Sequence, residues 1–130
     1  MNTITVTIQG CYGKSEIFTV SETAHSASIQ HHYDNIKKTK KLDERSITKD
    51  EFNKIFNAFM EVNFNEFFNE NPDLIGCDGW TLILSIHNGS AEIKASIWCP
   101  EKDSSKPETT KLIEACELVC PVFDIEKEAL

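Results

Sequence analysis

The chain has 130 residues, 40% hydrophobic and 26% charged, and a formal net charge of −8. That size predicts a single domain over residues 1–130, and the composition excludes a wholly disordered chain. No apolar run reaches the roughly 20 residues a membrane-crossing helix needs, and the surplus of carboxylates argues against direct nucleic-acid binding, which requires the opposite sign.

The first strand is predicted over Thr3–Ile8, where Ile4, Val6 and Ile8 alternate with threonines. The amino terminus lacks a basic segment and a long apolar core, so it is expected to begin a cytoplasmic protein rather than a secretory signal. Gly10-Cys11-Tyr12-Gly13 predicts a turn, and Glu16–Val20 a returning strand whose inward face is left open between Ile17 and Phe18. Ala27, Ile29, His31 and Tyr33 alternate with Ser28, Gln30 and His32, which predicts a third strand. The polar stretch near 36–45, with Lys37, Lys38, Lys40 and Lys41, is expected to be a mobile, solvated loop.

Thr48-Lys49-Asp50-Glu51 is a capping box, with Ile47 and Phe52 placed as its hydrophobic staple. Phe52, Ile55, Phe56, Phe59 and Met60 then recur at helical spacing. The stripe predicts a break near Val62–Asn63, and Phe67 and Phe68 a short further turn of helix that ends at Pro72.

Trp80–Ile86 and Ala91–Trp98 flank Asn88-Gly89, a pair suited to positive φ, and so predict a tight hairpin. With His87 and Ser90 beside that turn, Ile86 would face Ala91, Leu84 Ile93, Leu82 Ala95 and Trp80 Ile97. Ser105 and Glu108 form a second capping box, followed by Leu112, Ile113, Cys116, Val119, Cys120 and Phe123 on one helical face. The acidic tail 124–130 is expected to fray. The predicted class is α+β, in the order β-β-β-α-β-β-α, with a largely antiparallel sheet and two main helices packed on one face.

Chemical motifs are sparse. Five cysteines, an odd count, fit reduced thiols in a cytoplasmic compartment, with Cys116 and Cys120 as small buried hydrophobes. Cys77 and Cys99 flank the hairpin ends, which leaves a disulfide or a two-ligand site open there. No Cys-x-x-Cys spacing suggests zinc, and adjacent strand residues such as His31 and His32 point to opposite faces. No phosphate loop, nucleophile elbow or calcium loop occurs, so no metal, cofactor or catalytic residue is expected.

Charge carries more. Residues 1–45 hold six basic and five acidic side chains, whereas residues 46–130 hold seven basic and sixteen acidic. The second part therefore presents an anionic surface suited to a cationic partner. The residues expected to meet it are Asp73, Asp78, Glu101 and Asp103 on loops, Glu114 and Glu117 on the last helix, and Trp98 as an aromatic anchor.

Phe64-Asn65-Glu66-Phe67-Phe68, Asp78-Gly79-Trp80-x-Leu82-x-Leu84-x-Ile86, Asn88-Gly89, Ser96-x-Trp98-x-Pro100 and the closing amphipathic helix together resemble small bacterial α+β domains. Many small acidic proteins of that type are immunity proteins of contact-dependent growth inhibition. The resemblance covers about half the chain and carries over no functional residue. It implies a non-enzymatic binding protein that neutralises a cationic toxin, for example a nuclease, by blocking its basic site. A small-ligand or regulatory module is the alternative, with Ala91 and Ala95 leaving space beneath large aromatics.

Overall fold

The computed structural model describes residues 2–10, 15–35, 38–64, 81–98 and 107–119, of which 35, 38–43 and 98 are described by their backbone alone. Six strands form one antiparallel sheet: β1 (Asn2–Gln9), β2 (Ser15–Glu22), β3 (Ala27–Asn35), β4 (Lys38–Ile47), β5 (Thr81–Asn88) and β6 (Ala91–Trp98). Helices α1 (Lys49–Met60) and α2 (Pro107–Val119) complete the α+β fold. The strand order is β4-β3-β2-β1-β5-β6, so the first strand lies inside the sheet and pairs on both sides.

Period-two alternation decides which face is buried. Ile4, Val6 and Ile8 of β1 are at most 1% exposed, while Thr3, Thr5 and Thr7 between them are half-buried on the other face. The same face takes Leu82, Leu84 and Ile86 from β5 and Ala95 and Ile97 from β6. On β2 the inward residues are Phe18 and Val20, which settles the face left open between Ile17 and Phe18. Both helices pack against this side, and Phe52, Ile55 and Phe59 join Leu112, Ala115, Cys116 and Val119 in one continuous core. Removing each large side chain from water contributes about 1.5–3 kcal/mol. The opposite face is mostly polar, with serines and threonines beside Gln30, His32, His87, Glu92 and Lys94, as an antiparallel sheet allows.

Two local expectations give way. The stretch expected as a loop near 36–45 carries the edge strand β4, which pairs with β3 from Lys38 to Ile47. Its register shifts between His31 and His32, so Leu42 is an extra residue on the β4 side. In the hairpin, Asn88 faces Ala91, Ile86 faces Ile93, Leu84 faces Ala95 and Leu82 faces Ile97. The loop is thus Gly89-Ser90, with Gly89 at φ 64°, and each expected pairing moves by two residues. A shift of two preserves the face of every side chain, which is why the buried set is unchanged. Ala91 is consequently exposed and Ala95 packs beside Leu84, so the space expected beneath large aromatics is not formed by these two alanines.

Both ends of α1 follow from its sequence. Thr48 Oγ1 accepts the Glu51 N–H at 3.0 Å, and a Glu51 carboxylate oxygen accepts the Thr48 N–H at 3.4 Å. Ile47 and Phe52 are both buried beside this capping box. The helix stops at Met60, with Glu61 as its C-cap and Phe64 turned back into the core. Met60, expected within the apolar stripe, is instead 41% exposed.

Candidate protein-binding surface

Burying one side of each helix presents the other to solvent. On α1 the outward residues are Asp50, Glu51, Asn53, Lys54 and Asn57, continued by the C-cap Glu61. On α2, Lys111 and Glu114 are exposed, with Glu108 and Glu117 half-buried.

The cations of this layer are largely engaged. Lys49 Nζ lies 2.6 Å from a Glu22 carboxylate oxygen and donates to the Thr23 carbonyl at 2.8 Å, which turns it toward the β2–β3 connection. Its hydrogen bond to Glu22 is the main reason that carboxyl lies below the ordinary range. Lys111 sits 3.1 Å from Glu108 Oε1, one turn away on its own helix. Asp50, Glu61 and Glu114 enter no ion pair among the described residues, and Lys54 is the outward cation left beside them.

The positions of these acids matter. A helix C-terminus carries partial negative charge, so stability favours Lys, Arg or His there. Neither helix has a basic residue in its last turn. Glu61 instead caps the end of α1 and Glu117 lies in the final turn of α2. At the exposed Glu61 such a carboxylate is locally unfavourable by about 0.3–1 kcal/mol.

Of the residues expected from the sequence to meet a partner, Glu114 and Glu117 fall three apart on α2. Trp98 ends β6 opposite Thr81, one step past the inward Ile97, and is described by its backbone alone. Asp73, Asp78, Glu101 and Asp103 lie outside the described residues, as do Trp80, the Cys77–Cys99 pairing, Ser105 of the second capping box and the tail 124–130. The acids that sequence reasoning missed are Asp50 and Glu61. Both flank the apolar stripe of α1, and only the packing of α1 against α2 places them in one layer with Glu114.

Two further polar clusters lie on the sheet, one on each face. On the open face, Glu92 Oε1 lies 3.2 Å from His87 Nε2 and 3.4 Å from Lys94 Nζ, and accepts from Ser85 Oγ at 3.3 Å. A serine nucleophile needs the imidazole as the acceptor of its proton. Here Ser85 donates to the carboxylate instead, so the cluster holds charge and does not activate the hydroxyl. On the helix-bearing face, His31 stacks on Phe18 with ring centroids 4.1 Å apart, and its Nε2 lies 3.6 Å from Glu16 Oε1. His32 occupies the opposite face, as expected for adjacent strand residues.

Among the described residues no three His, Cys, Asp or Glu side chains converge on a metal position, and no helix is long and apolar enough to cross a membrane. Cys116 is fully buried, and loss of solvent pushes its thiol up to about 12, so it is not a nucleophile near neutral pH. No protein-family model, curated protein or solved structure matches the chain.

Proposed function

We propose that this protein is a non-enzymatic binding protein of the immunity type. It neutralises a cationic protein toxin in the cytoplasm by laying its acidic helical layer over the toxin's basic site. The observation that carries this reading is the placement of the exposed Glu61 at the C-terminal end of α1, where stability alone favours a cation. Residues that break a local stability rule without local compensation are the ones to assign to function. Asp50 and Glu114 extend the same anionic surface across both helices.

A nuclease holds phosphate in a basic cleft, and an acidic layer competes for that cleft through complementary charge. Complementarity of this kind raises the association rate and sets its salt dependence more than it sets the dissociation rate.

Affinity capture from the source lysate, eluted in salt steps, supplies the partner. The decisive comparison is the association rate of that partner with the parent and with D50N/E61Q/E114Q/E117Q. The quadruple variant should associate at least tenfold more slowly at low salt and lose most of its salt dependence. An unchanged rate would refute the role of this surface.

A further inference from the structure

The sheet ends in two edges of opposite character. The β4 edge carries a bulge, a device that discourages edge-to-edge pairing. The β6 edge has neither a bulge nor a proline: its register with β5 runs unbroken from Ala91 to Trp98. No strand among the described residues pairs with its outer side. Ala91, Glu92, Lys94 and Ser96 are exposed, and Ile93 is half-buried.

The Gly89-Ser90 loop closes on Asn88 and Ala91, so Ala91, Ile93, Ala95 and Ile97 direct their backbone groups to β5. Those of Glu92, Lys94 and Ser96 are directed outward. An antiparallel neighbour must therefore meet outward residues with its own outward residues. For two copies of this chain, that restricts the two-fold axis to a few positions along β6. An axis at Glu92 sets carboxylate against carboxylate, and one at Lys94 sets ammonium against ammonium. An axis at Lys94's neighbour Ala95 sets Lys94 against Ser96.

Ala91-Glu92-Ile93-Lys94-Ala95 reads as its own complement about Ile93. With the axis there, Glu92 faces Lys94 of the second copy, Lys94 faces its Glu92, Ala91 faces its Ala95, and the two Ile93 residues meet. Among the described residues the three contacts of Glu92 all fall on Oε1, and its side chain is 36% exposed, so its second oxygen can accept the added ammonium. Lys94 is 74% exposed and can reach it. We propose that β6 pairs antiparallel with β6 of a second copy, in the register centred on Ile93, and so joins two sheets across a two-fold axis.

This pairing is independent of what the acidic helical layer binds. Sedimentation velocity over a concentration series tests it on the intact chain, with a melting curve for each variant to show that it is folded. The parent should pass from monomer to dimer. K94E places two carboxylates opposite each other twice and should weaken dimerisation at least tenfold. The charge-exchanged E92K/K94E chain should restore it. An equimolar mixture of E92K and K94E should form a heterodimer, although each alone is weakened. Under mild oxidant, I93C should give a cross-linked dimer that the parent and S96C do not, because non-hydrogen-bonded antiparallel pairs bring their Cα atoms closest. A parent that stays monomeric throughout, a species larger than a dimer, or a dimer equally strong in K94E would overturn the proposal.

Discussion

A carboxylate oxygen of Glu108 accepts the backbone N–H of Asn63 at 2.6 Å, across a sequence separation of 45 residues. Asn63 follows the end of α1 and Glu108 lies in the first turn of α2, so one side chain ties the exit of the first helix to the entry of the second. The Asn63 N–H, followed by Lys111, holds the Glu108 carboxyl below the ordinary value of 4.5.

A depressed carboxyl stabilises the fold above its unfolded value, and that stabilisation is lost as pH falls through the lower, folded value. Glu22 is depressed in the same direction, chiefly by its hydrogen bond from Lys49. Chemical denaturation measured from about pH 5 down to pH 3 should show stability falling with pH. In E108Q that slope should be shallower, and in E22Q/E108Q shallower still. Parallel slopes in all three chains would contradict the assignment.

Thr48 should contribute through its cap alone, because its side chain is exposed and joins no core contact. T48A is expected to lose about 1 kcal/mol, read as a fall in Tm of about 3–5 °C. T48S keeps the acceptor and should stay close to the parent.

Gly89 sits at φ 64° with no atom within 4 Å of the place a Cβ would take. Any penalty on substitution there is backbone strain and not a clash. G89A should destabilise the protein by about 1–2 kcal/mol. G89N, whose side chain tolerates the left-handed region, should recover part of that loss in the same denaturation measurement.

The buried Cys116 thiol, raised to about 12, should react with iodoacetamide only through unfolding. Peptide mapping by mass spectrometry should find it unlabelled in native buffer and labelled in denaturant. Its linkage has the sign opposite to that of the carboxylates. The unfolded thiol ionises near 9 while the folded one keeps its proton, so stability should decline as pH rises past that value. C116A should remove that part of the decline.

What could be read from the sequence was parity and periodicity, and what could not was the choice between arrangements of equal parity. Ile4, Val6 and Ile8, the stripe of α1 apart from Met60, and the Thr48–Glu51 box have the expected roles. The hairpin register could not be chosen, because Asn88-Gly89 and Gly89-Ser90 both offer a positive-φ glycine and bury the same residues. Lys38–Ile47 lacks apolar alternation in its first half, so nothing local distinguishes it from a loop. Its strand depends on the ladder that β3 supplies. For the candidate surface, Glu114 and Glu117 could be read from the outer positions of α2. Asp50 and Glu61 could not, since their membership depends on how two distant helices pack.

The interior position of β1 also constrains the order in which the molecule can be assembled. As the chain leaves the ribosome, β1 to β4 can form as a local meander, yet one side of β1 stays open until Thr81–Asn88 has been made. For the whole of that interval the nascent chain exposes a half-finished Ile4-Val6-Ile8 surface, and closure waits on contacts more than seventy residues apart, such as Ile8 with Leu82. Such non-local closure folds slowly and leaves an aggregation-prone edge meanwhile. Chains truncated before Thr81 should therefore be caught by chaperones or precipitate, and cannot serve as a smaller version of the protein.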